Sequence, residues 1–302
     1  MNMLPPELHA YICELACADG GPTIRSLNAT SRYFHDVSTP YLYHAVSVDS
    51  QSRLCALLER LDARPTHLRH IRHLFILDGV NICAPKSPTA AAPVDPGTIL
   101  RSTLRLITMA APTLQSFALS SQSSSGTTLI ARIFRTTFPN LRDLTISGFY
   151  PFPSTPGKFP RLQRLHLAGN RNPTGLLQMS TLEDACPCLT SLRISDLNLA
   201  GSFVIELTEA VNAAETGDVE CGAVDSLMPA RLPSSVKYIT IQAGPPPIKG
   251  QWIASMKDEV MMTQLEALKT RKVSGRRLLE VQVLDRSPQP LSPETIRTEW
   301  LD

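Results

Sequence analysis

The sequence predicts an α/β protein: a short N-terminal module of three helices, then an irregular solenoid with parallel strands on its concave face and helices outside. Three observations support this. Residues 1–48 place apolar side chains at helical spacing between proline and glycine breaks. From residue 71 onward, a short apolar motif with strand-like alternation recurs seven times, separated by helix-like stretches. A proline-broken tail precedes a short final helix, so the predicted divisions are 1–48, 49–286 and 287–302.

The composition indicates a globular chain of 302 residues and argues against some classes of partner. Hydrophobic residues make up 43% and charged residues 19%, as in ordinary globular proteins. The net charge of +2 gives no general attraction to nucleic acid or to an anionic membrane. No run approaches the roughly 20 apolar residues of a membrane span. Residues 1–8 lack secretory-signal features and the seven cysteines are an odd number, so we expect reduced thiols and a cytoplasmic or nuclear protein.

The first predicted helix opens the module. It follows Leu4-Pro5, and a proline near a helix start fits the first-turn preference for this residue. Leu8, Ile12 and Leu15 recur at spacings of four and three residues, which places them on one helix face. Gly20-Gly21-Pro22 then ends the helix.

Two further helical segments complete the module. The second helix is predicted over Thr23–Ala29, with Ile24 and Leu27 on its apolar face. The third segment is an apolar cluster formed by Tyr33, Phe34, Val37, Tyr41, Leu42 and Tyr43. Three short helices in about 45 residues bury little core by themselves. The module should therefore pack against a partner or against the rest of the chain.

The repeated motif has the pattern apolar, two residues, apolar, one residue, apolar. Its copies are Ile71-Leu74-Ile76, Leu114-Phe117-Leu119, Leu141-Leu144-Ile146, Leu162-Leu165-Leu167, Leu189-Leu192-Ile194, Val236-Ile239-Ile241 and Leu278-Val281-Val283. The copies begin 43, 27, 21, 27, 47 and 42 residues apart. The three middle spacings match a leucine-rich repeat of about 20–29 residues. The longer spacings and the proline content indicate insertions at 81–97, 150–158 and 213–231.

Helices are predicted between the motifs. The candidates are the face of Leu54, Leu57, Leu58 and Leu61, and the segments Ile99–Ala110, Thr127–Arg135, Leu176–Ala185, Phe203–Ala214 and Trp252–Lys272. Strands alternating with helices predict a parallel sheet with helices on its outer side.

The first 48 residues resemble the F-box motif. The similarity comprises Leu4-Pro5-x-Glu7-Leu8, then Ile12, Leu15, Ile24 and Leu27, then Ser31-Arg32-Tyr33-Phe34. The segment Thr39–Val46 resembles the ending common in fungal F-box proteins. The motifs from about 70 to 285 resemble the divergent leucine-rich repeats that often follow an F-box.

The resemblance implies a non-enzymatic substrate receptor of a Skp–cullin–F-box ubiquitin ligase, used in protein degradation, in which the F-box docks on the Skp adaptor. The residues that match the motif and would contact the adaptor are Leu4, Pro5, Leu8, Ile12, Leu15, Ile24 and Leu27. The alternative is that these side chains pack against the module's own helices or the first repeat. A degenerate F-box would leave a leucine-rich-repeat scaffold that binds proteins without ubiquitination.

The repeats would hold the target on their concave face. Two rows of outward strand positions are predicted there: His73, Ser116, Asp143, Arg164, Ser191, Tyr238 and Glu280, and beside them Phe75, Ala118, Thr145, His166, Arg193, Thr240 and Gln282. Arg164, His166, Arg193 and Tyr238 are the candidate target-binding residues. An arginine pair could receive a carboxylate or phosphate through paired hydrogen bonds. The alternative is an ordinary solvated face, on which Asp143 neutralises Arg164.

No catalytic, cofactor or metal site is predicted. His67, His70 and His73 cross from a helix end into a strand, so with Cys83 they should not converge on zinc. Cys13/Cys17 and Cys186-Pro187-Cys188 are interpreted as buried thiols. The basic run Lys269–Arg277 fits a helix end better than nucleic acid. An enzyme with an unrecognised site is the third hypothesis, which a deep pocket with strongly perturbed titratable groups would favour.

Overall fold

The structure is a computed structural model. Its strands form a single sheet, whose first strand follows directly after the N-terminal helices. It describes residues 4–16, 21–79, 96–123, 125–151, 153, 155–178, 181–216, 230–248, 250–270 and 279–301. The strands are β1 (Ala45–Val48), β2 (His73–Asp78), β3 (Ser116–Ser121), β4 (Asp143–Ser147), β5 (Arg164–Ala168), β6 (Ser191–Leu197), β7 (Tyr238–Ala243) and β8 (Glu280–Leu284). All eight are parallel and lie side by side in chain order.

Ten α-helices precede, separate or follow these strands in the described part of the chain. They are α1 (Pro6–Ala16), α2 (Pro22–Thr30), α3 (Arg32–Ser38), α4 (Gln51–Asp62), α5 (Pro96–Ala110), α6 (Gly126–Arg135), α7 (Thr181–Ala185), α8 (Gly201–Thr216), α9 (Trp252–Thr270) and α10 (Pro293–Leu301). Short 3-10 turns lie at Thr39–Tyr41 and Thr66–Leu68. The α/β class and the strand–helix alternation predicted from the sequence are confirmed.

The register between the strands matches the predicted rows position for position. The first residues of β2 to β8 pair in one continuous row: His73, Ser116, Asp143, Arg164, Ser191, Tyr238 and Glu280. The row two positions later runs from Phe75 to Gln282. The motif positions of the seven predicted strands are therefore neighbours in one sheet.

A repeated hydrogen-bond pattern fixes this register at the start of each strand. The His44 carbonyl accepts from the amides of both Arg72 and His73, at 2.9 and 2.8 Å. The carbonyls of Arg72, Gln115, Arg142, Gln163 and Thr190 each accept from two amides at the next strand start in the same way. The start of each strand is thus aligned with the start of the preceding one. A shift of the pairing register by one residue would move the side chains of that strand to the opposite face of the sheet.

The core lies between the sheet and the helices of its outer side. The second and fourth residues of the strands, such as Leu192 and Ile194, are buried there, together with the residues that open the motifs, such as Leu189. Phe138 and Phe159 stack at 5.6 Å between ring centroids beside the middle strands. Helices α4, α5, α6, α8 and α9 contribute their apolar faces to the same cluster.

Two predicted boundaries differ from the structure. Residues Ala45–Val48, assigned to the module, form β1 and belong to the sheet. The helix predicted over Leu176–Ala185 is reduced to α7. The reason is Glu206, whose carboxylate accepts from the amides of Gly175 and Leu177 at 2.6 Å each and holds that segment in a turn.

The three predicted insertions lie only partly within the described residues. Most of 81–97 and of 213–231 lies outside them, although α8 continues to Thr216. In 150–158 the described residues form neither helix nor strand, as expected for a proline-rich loop. Most of the basic run Lys269–Arg277 also lies outside the described residues.

A matched pair of leucine substitutions tests this description of the core. Leu192 is fully buried in β6, so Leu192→Ala should lower the free energy of unfolding by about 2–5 kcal/mol. Leu8 is exposed on α1, so Leu8→Ala should change it by no more than about 0.5 kcal/mol. Urea unfolding followed by circular dichroism measures both, and equal losses would contradict the assignment of the two environments.

Candidate functional site

The first candidate site is an exposed apolar surface on α1. Ile12 is 50% exposed and Leu15 62%, and Leu8 and Tyr11 are similarly open. Leu4, just before the helix, extends the patch. We call these residues (Leu4, Leu8, Tyr11, Ile12, Leu15) the α1 surface. Isolated exposed leucines are ordinary, but a contiguous apolar patch on one helix face is typical of a surface that binds another protein.

The opposite side of α1 holds the helix against the rest of the chain. Cys13 is buried, and burial raises the pKa of its thiol. Glu14 forms an ion pair with Arg72, which immediately precedes β2. His9 Nδ1 is hydrogen-bonded to the Tyr33 hydroxyl at 2.8 Å. Because small and polar residues make these internal contacts, the apolar face of α1 remains exposed to solvent.

Two of the predicted adaptor-contact residues lie elsewhere. Ile24 is only 1% exposed, so the prediction that it contacts a partner directly is wrong for this state. Ile24 is the buried side chain of the nine-residue helix α2. Leu27 is half-buried, whereas Pro5 is exposed beside Leu4. The alternative of internal packing therefore holds for Ile24 but not for Leu8, Ile12 or Leu15.

The second candidate site is the sheet face opposite the core, which we call the inner face and which carries the predicted target-binding residues. Part of it is covered by α10, which the sequence did not place there. Ile296 is buried against Phe75 and Ala118, and the rings of Trp300 and Phe75 lie 5.9 Å apart. The prediction of an open concave face is therefore corrected for the strands beneath this helix.

Both arginines of the inner face have carboxylate partners. Arg193 donates from Nη1 and Nη2 to the two carboxylate oxygens of Glu299, at 3.1 and 3.0 Å. The predicted paired recognition of a carboxylate is thus made within the chain. Arg164 pairs with Asp143, as the solvated-face alternative predicted.

His166 lies beneath α10 and is only 8% exposed. Its Nε2 is 2.9 Å from the Ser195 hydroxyl. Burial, and then the positive charge of Arg193, lower the pKa of His166 to about 3. The prediction that His166 offers its ring to a target is therefore wrong for this state, whereas Tyr238 remains exposed.

A cleft remains open beside α10. Its volume is about 450 Å³, and it extends over the strand starts from β2 to β6. Its lining includes His73, Ser116, Asp143, Arg164, Ser191, Arg193, Glu299 and Trp300. Burial, and then Arg72, lower the pKa of His73. The cleft mixes charged side chains and hydroxyls with the apolar surfaces of Leu144, Leu165 and Trp300.

Sequence reasoning missed Ile296, Glu299 and Trp300 as residues of this face. A signal was present in the inner row, where Phe75 and Ala118 are apolar while the following strands carry Thr145, His166, Arg193, Thr240 and Gln282. Two apolar residues on a face expected to be solvated indicate that something covers them. The spacing of Ile296 and Trp300 at four residues places both on one side of α10.

The described residues contain no cluster that could hold a metal ion. None of their His, Cys, Asp and Glu side chains form a suitable group of three or more. Cys186 is buried, and burial raises the pKa of its thiol to about 12. Cys188 is exposed and free, so the prediction of a buried thiol is wrong for this residue. Cys17 and Cys83 lie outside the described residues.

Comparisons with other proteins identify no relative, so the functional interpretation depends on the two surfaces described above. Searches against protein-family models, curated proteins and solved structures give no match to this chain. Across the part of the chain that the structure describes, no helix has both the length and the apolar character of a membrane span.

The buried histidines predict a specific pH dependence of stability. The pKa of His166 is about 3 and that of His44 about 4, whereas an unfolded histidine titrates near 6.5. Between these values the unfolded chain binds more protons, so the free energy of unfolding should fall as pH falls from about 6.5. Each histidine contributes a slope of about 1.4 kcal/mol per pH unit.

His166→Gln isolates one of these contributions. Glutamine keeps a hydrogen-bonding group near Ser195 but cannot titrate, so the slope between pH 6 and 4 should decrease by up to about 1.4 kcal/mol per pH unit. Urea titrations from pH 4 to 8 measure it, and the pH 8 value isolates the packing change. An unchanged slope would show that His166 takes up a proton in the folded chain.

Proposed function

We propose that this chain is the substrate-recognition adaptor of a Skp–cullin–F-box type ubiquitin ligase. In this proposal residues 4–44 are the F-box, and the α1 surface docks on the Skp adaptor. The sheet region is a divergent leucine-rich-repeat domain that holds the target protein. The chain itself performs no chemistry but raises the concentration of the target near the catalytic subunits.

The α1 surface is the observation that carries the proposal. Its exposed residues include Leu4, Leu8, Ile12 and Leu15, which match the F-box motif, and all of them point away from the chain's own core. Burying one large apolar side chain on a partner contributes about 1.5–3 kcal/mol before the costs of association. Several such side chains on one rigid helix therefore suffice for specific docking.

The sheet region supports the second half of the proposal. Its strand starts are in register, so outward side chains of neighbouring strands form continuous rows, with about 4.8 Å between adjacent strands in a row. Such rows present an extended surface to a protein ligand, as in repeat proteins generally. The exposed residues Arg164 and Tyr238 lie on this surface beyond α10.

The alternative is a non-ligase scaffold with a degenerate F-box, and the attachment of the module favours it. The Glu14–Arg72 ion pair joins α1 to the start of β2, and Ile24 and Cys13 are buried within the chain. A terminal unit with these contacts acts as a cap for a repeat array. In that case the α1 surface would bind a different partner or none.

Adaptor binding distinguishes the two functions. Ile12→Asp places a charge in the middle of the α1 surface, so it should weaken binding of a purified Skp adaptor by at least about a hundredfold. The milder Ile12→Ala should weaken it about tenfold or more. Isothermal titration calorimetry with the full chain measures both values.

The matched control is Ile253→Asp, which changes an equally exposed isoleucine on α9, and it should leave adaptor binding unchanged. Circular dichroism confirms that each variant is folded. An unaltered chain that fails to bind the adaptor at micromolar concentration contradicts the ligase proposal and favours the scaffold.

A further inference from the structure

The helix α10 occupies the inner face in the manner of a ligand. The segment that leads into α10 and the helix itself run against the direction of β6. The amide of Leu291, two residues before the helix, donates to the Asp196 carboxylate, while Glu299 in the last turn reaches Arg193, nearer the start of the same strand. Ile296 fills the space beside Phe75 and Ala118. These contacts form a small apolar cluster that is separate from the main core.

Several features indicate that α10 is only weakly attached to this face. It has nine residues, and isolated helices of that length are marginal in water. It follows a segment with prolines at 288, 290 and 293, which leaves no regular element between β8 and α10. Ile296 is its only side chain in the described structure that is buried to a few per cent.

The fit of α10 to the inner face is also incomplete. Glu299 engages Nη1 and Nη2 of Arg193, and the Nε of the same guanidinium is buried without a hydrogen-bond partner in the described structure. The indole Nε1 of Trp300 is likewise buried and unpaired there. A buried donor without an acceptor retains its full desolvation cost. A segment that supplies an acceptor to Arg193 Nε would therefore fit this surface better than α10 does.

Charge indicates what kind of segment that is. Without α10, Asp143 still neutralises Arg164, but Arg193 loses its carboxylate. The apolar patch of Phe75 and Ala118 would be uncovered in the same row of the inner face, with Thr145 and His166 between it and Arg193. A complementary ligand therefore needs an apolar anchor and, one helical turn away, an acidic group.

We propose that the inner face around Arg193, Phe75 and Ala118 is a docking site for an acidic amphipathic helix of a partner protein, and that α10 is its intramolecular competitor. The partner segment carries an aliphatic residue in the place of Ile296, an acidic residue three positions later and an aromatic residue after that. That this partner is the ligase target rests on the proposed function; the docking site itself does not. The tether keeps α10 at high local concentration, so the site opens only to a segment that binds more tightly.

The test uses the full chain and its own C-terminal sequence as the probe. A fluorescent peptide of residues 287–302 is titrated with the unaltered chain and with Ile296→Asp, which should release α10 by placing a charge against Phe75 and Ala118. Fluorescence anisotropy should show binding to the released chain at least tenfold tighter than to the unaltered chain. Adding Arg193→Ala to the released chain should weaken that binding at least tenfold.

Peptide variants provide a matched control for charge. Glu299→Gln in the peptide should weaken binding about tenfold, because it removes the partner of Arg193. Glu294→Gln removes the same charge from an exposed position at the other end of the helix and should have little effect. Equal effects of the two changes would overturn the proposed recognition.

The stability of the released chain decides whether α10 can leave at all. If the Ile296→Asp chain does not fold, or folds and does not bind the peptide, α10 is an obligatory part of the fold and the proposal is overturned. Hydrogen exchange of the unaltered chain gives an independent measurement. Amides of α10 should exchange at least a hundredfold faster than those of β5 and β6, and equal protection would overturn the proposal.

None of these experiments involves the Skp adaptor. A chain that binds the peptide but not the adaptor supports the inner-face site and contradicts the ligase function. A chain that binds the adaptor but not the peptide contradicts only the inner-face site.

Discussion

The structure depends on one constraint, the common register in which the parallel strands begin on a shared ladder of backbone carbonyls. Each carbonyl from His44 to Thr190 in this ladder accepts two amides from the start of the next strand, so every motif is aligned with its predecessor. With the register fixed, the second and fourth residues of each strand enter the core while the first and third form rows on the inner face. Both candidate surfaces follow from this arrangement.

At its N-terminal end the sheet uses β1 and Arg72 to hold a helical module too small to bury its own apolar residues. The internal contacts of α1 use Cys13, Glu14 and His9, so its apolar side faces outward. On the inner face the situation is reversed, because α10 already covers the apolar patch. The α1 surface is therefore exposed, whereas the apolar patch of the inner face is covered by a helix of the same chain.

The sequence predicted the strands well because their pattern is local. Apolar residues at fixed offsets, as in Leu189-Leu192-Ile194, specify both the strand and its buried face. The α1 residues Leu8, Ile12 and Leu15 were predictable for the same reason. The position of α10 was not, because the contact between Glu299 and Arg193 joins residues 106 apart and leaves no periodic signal. The turn at Leu177 was mistaken for a helix because the Glu206 carboxylate that holds it lies 29 residues away.

The central claim is that the outward apolar side of α1 is where the Skp adaptor binds. Hydrogen–deuterium exchange of the full chain, with and without purified adaptor, tests it without any substitution. The account predicts that amides of residues 6–16 gain protection while those of β4 to β7 do not change. Protection gained on the sheet but not on α1, or no change anywhere at saturating adaptor, would contradict it.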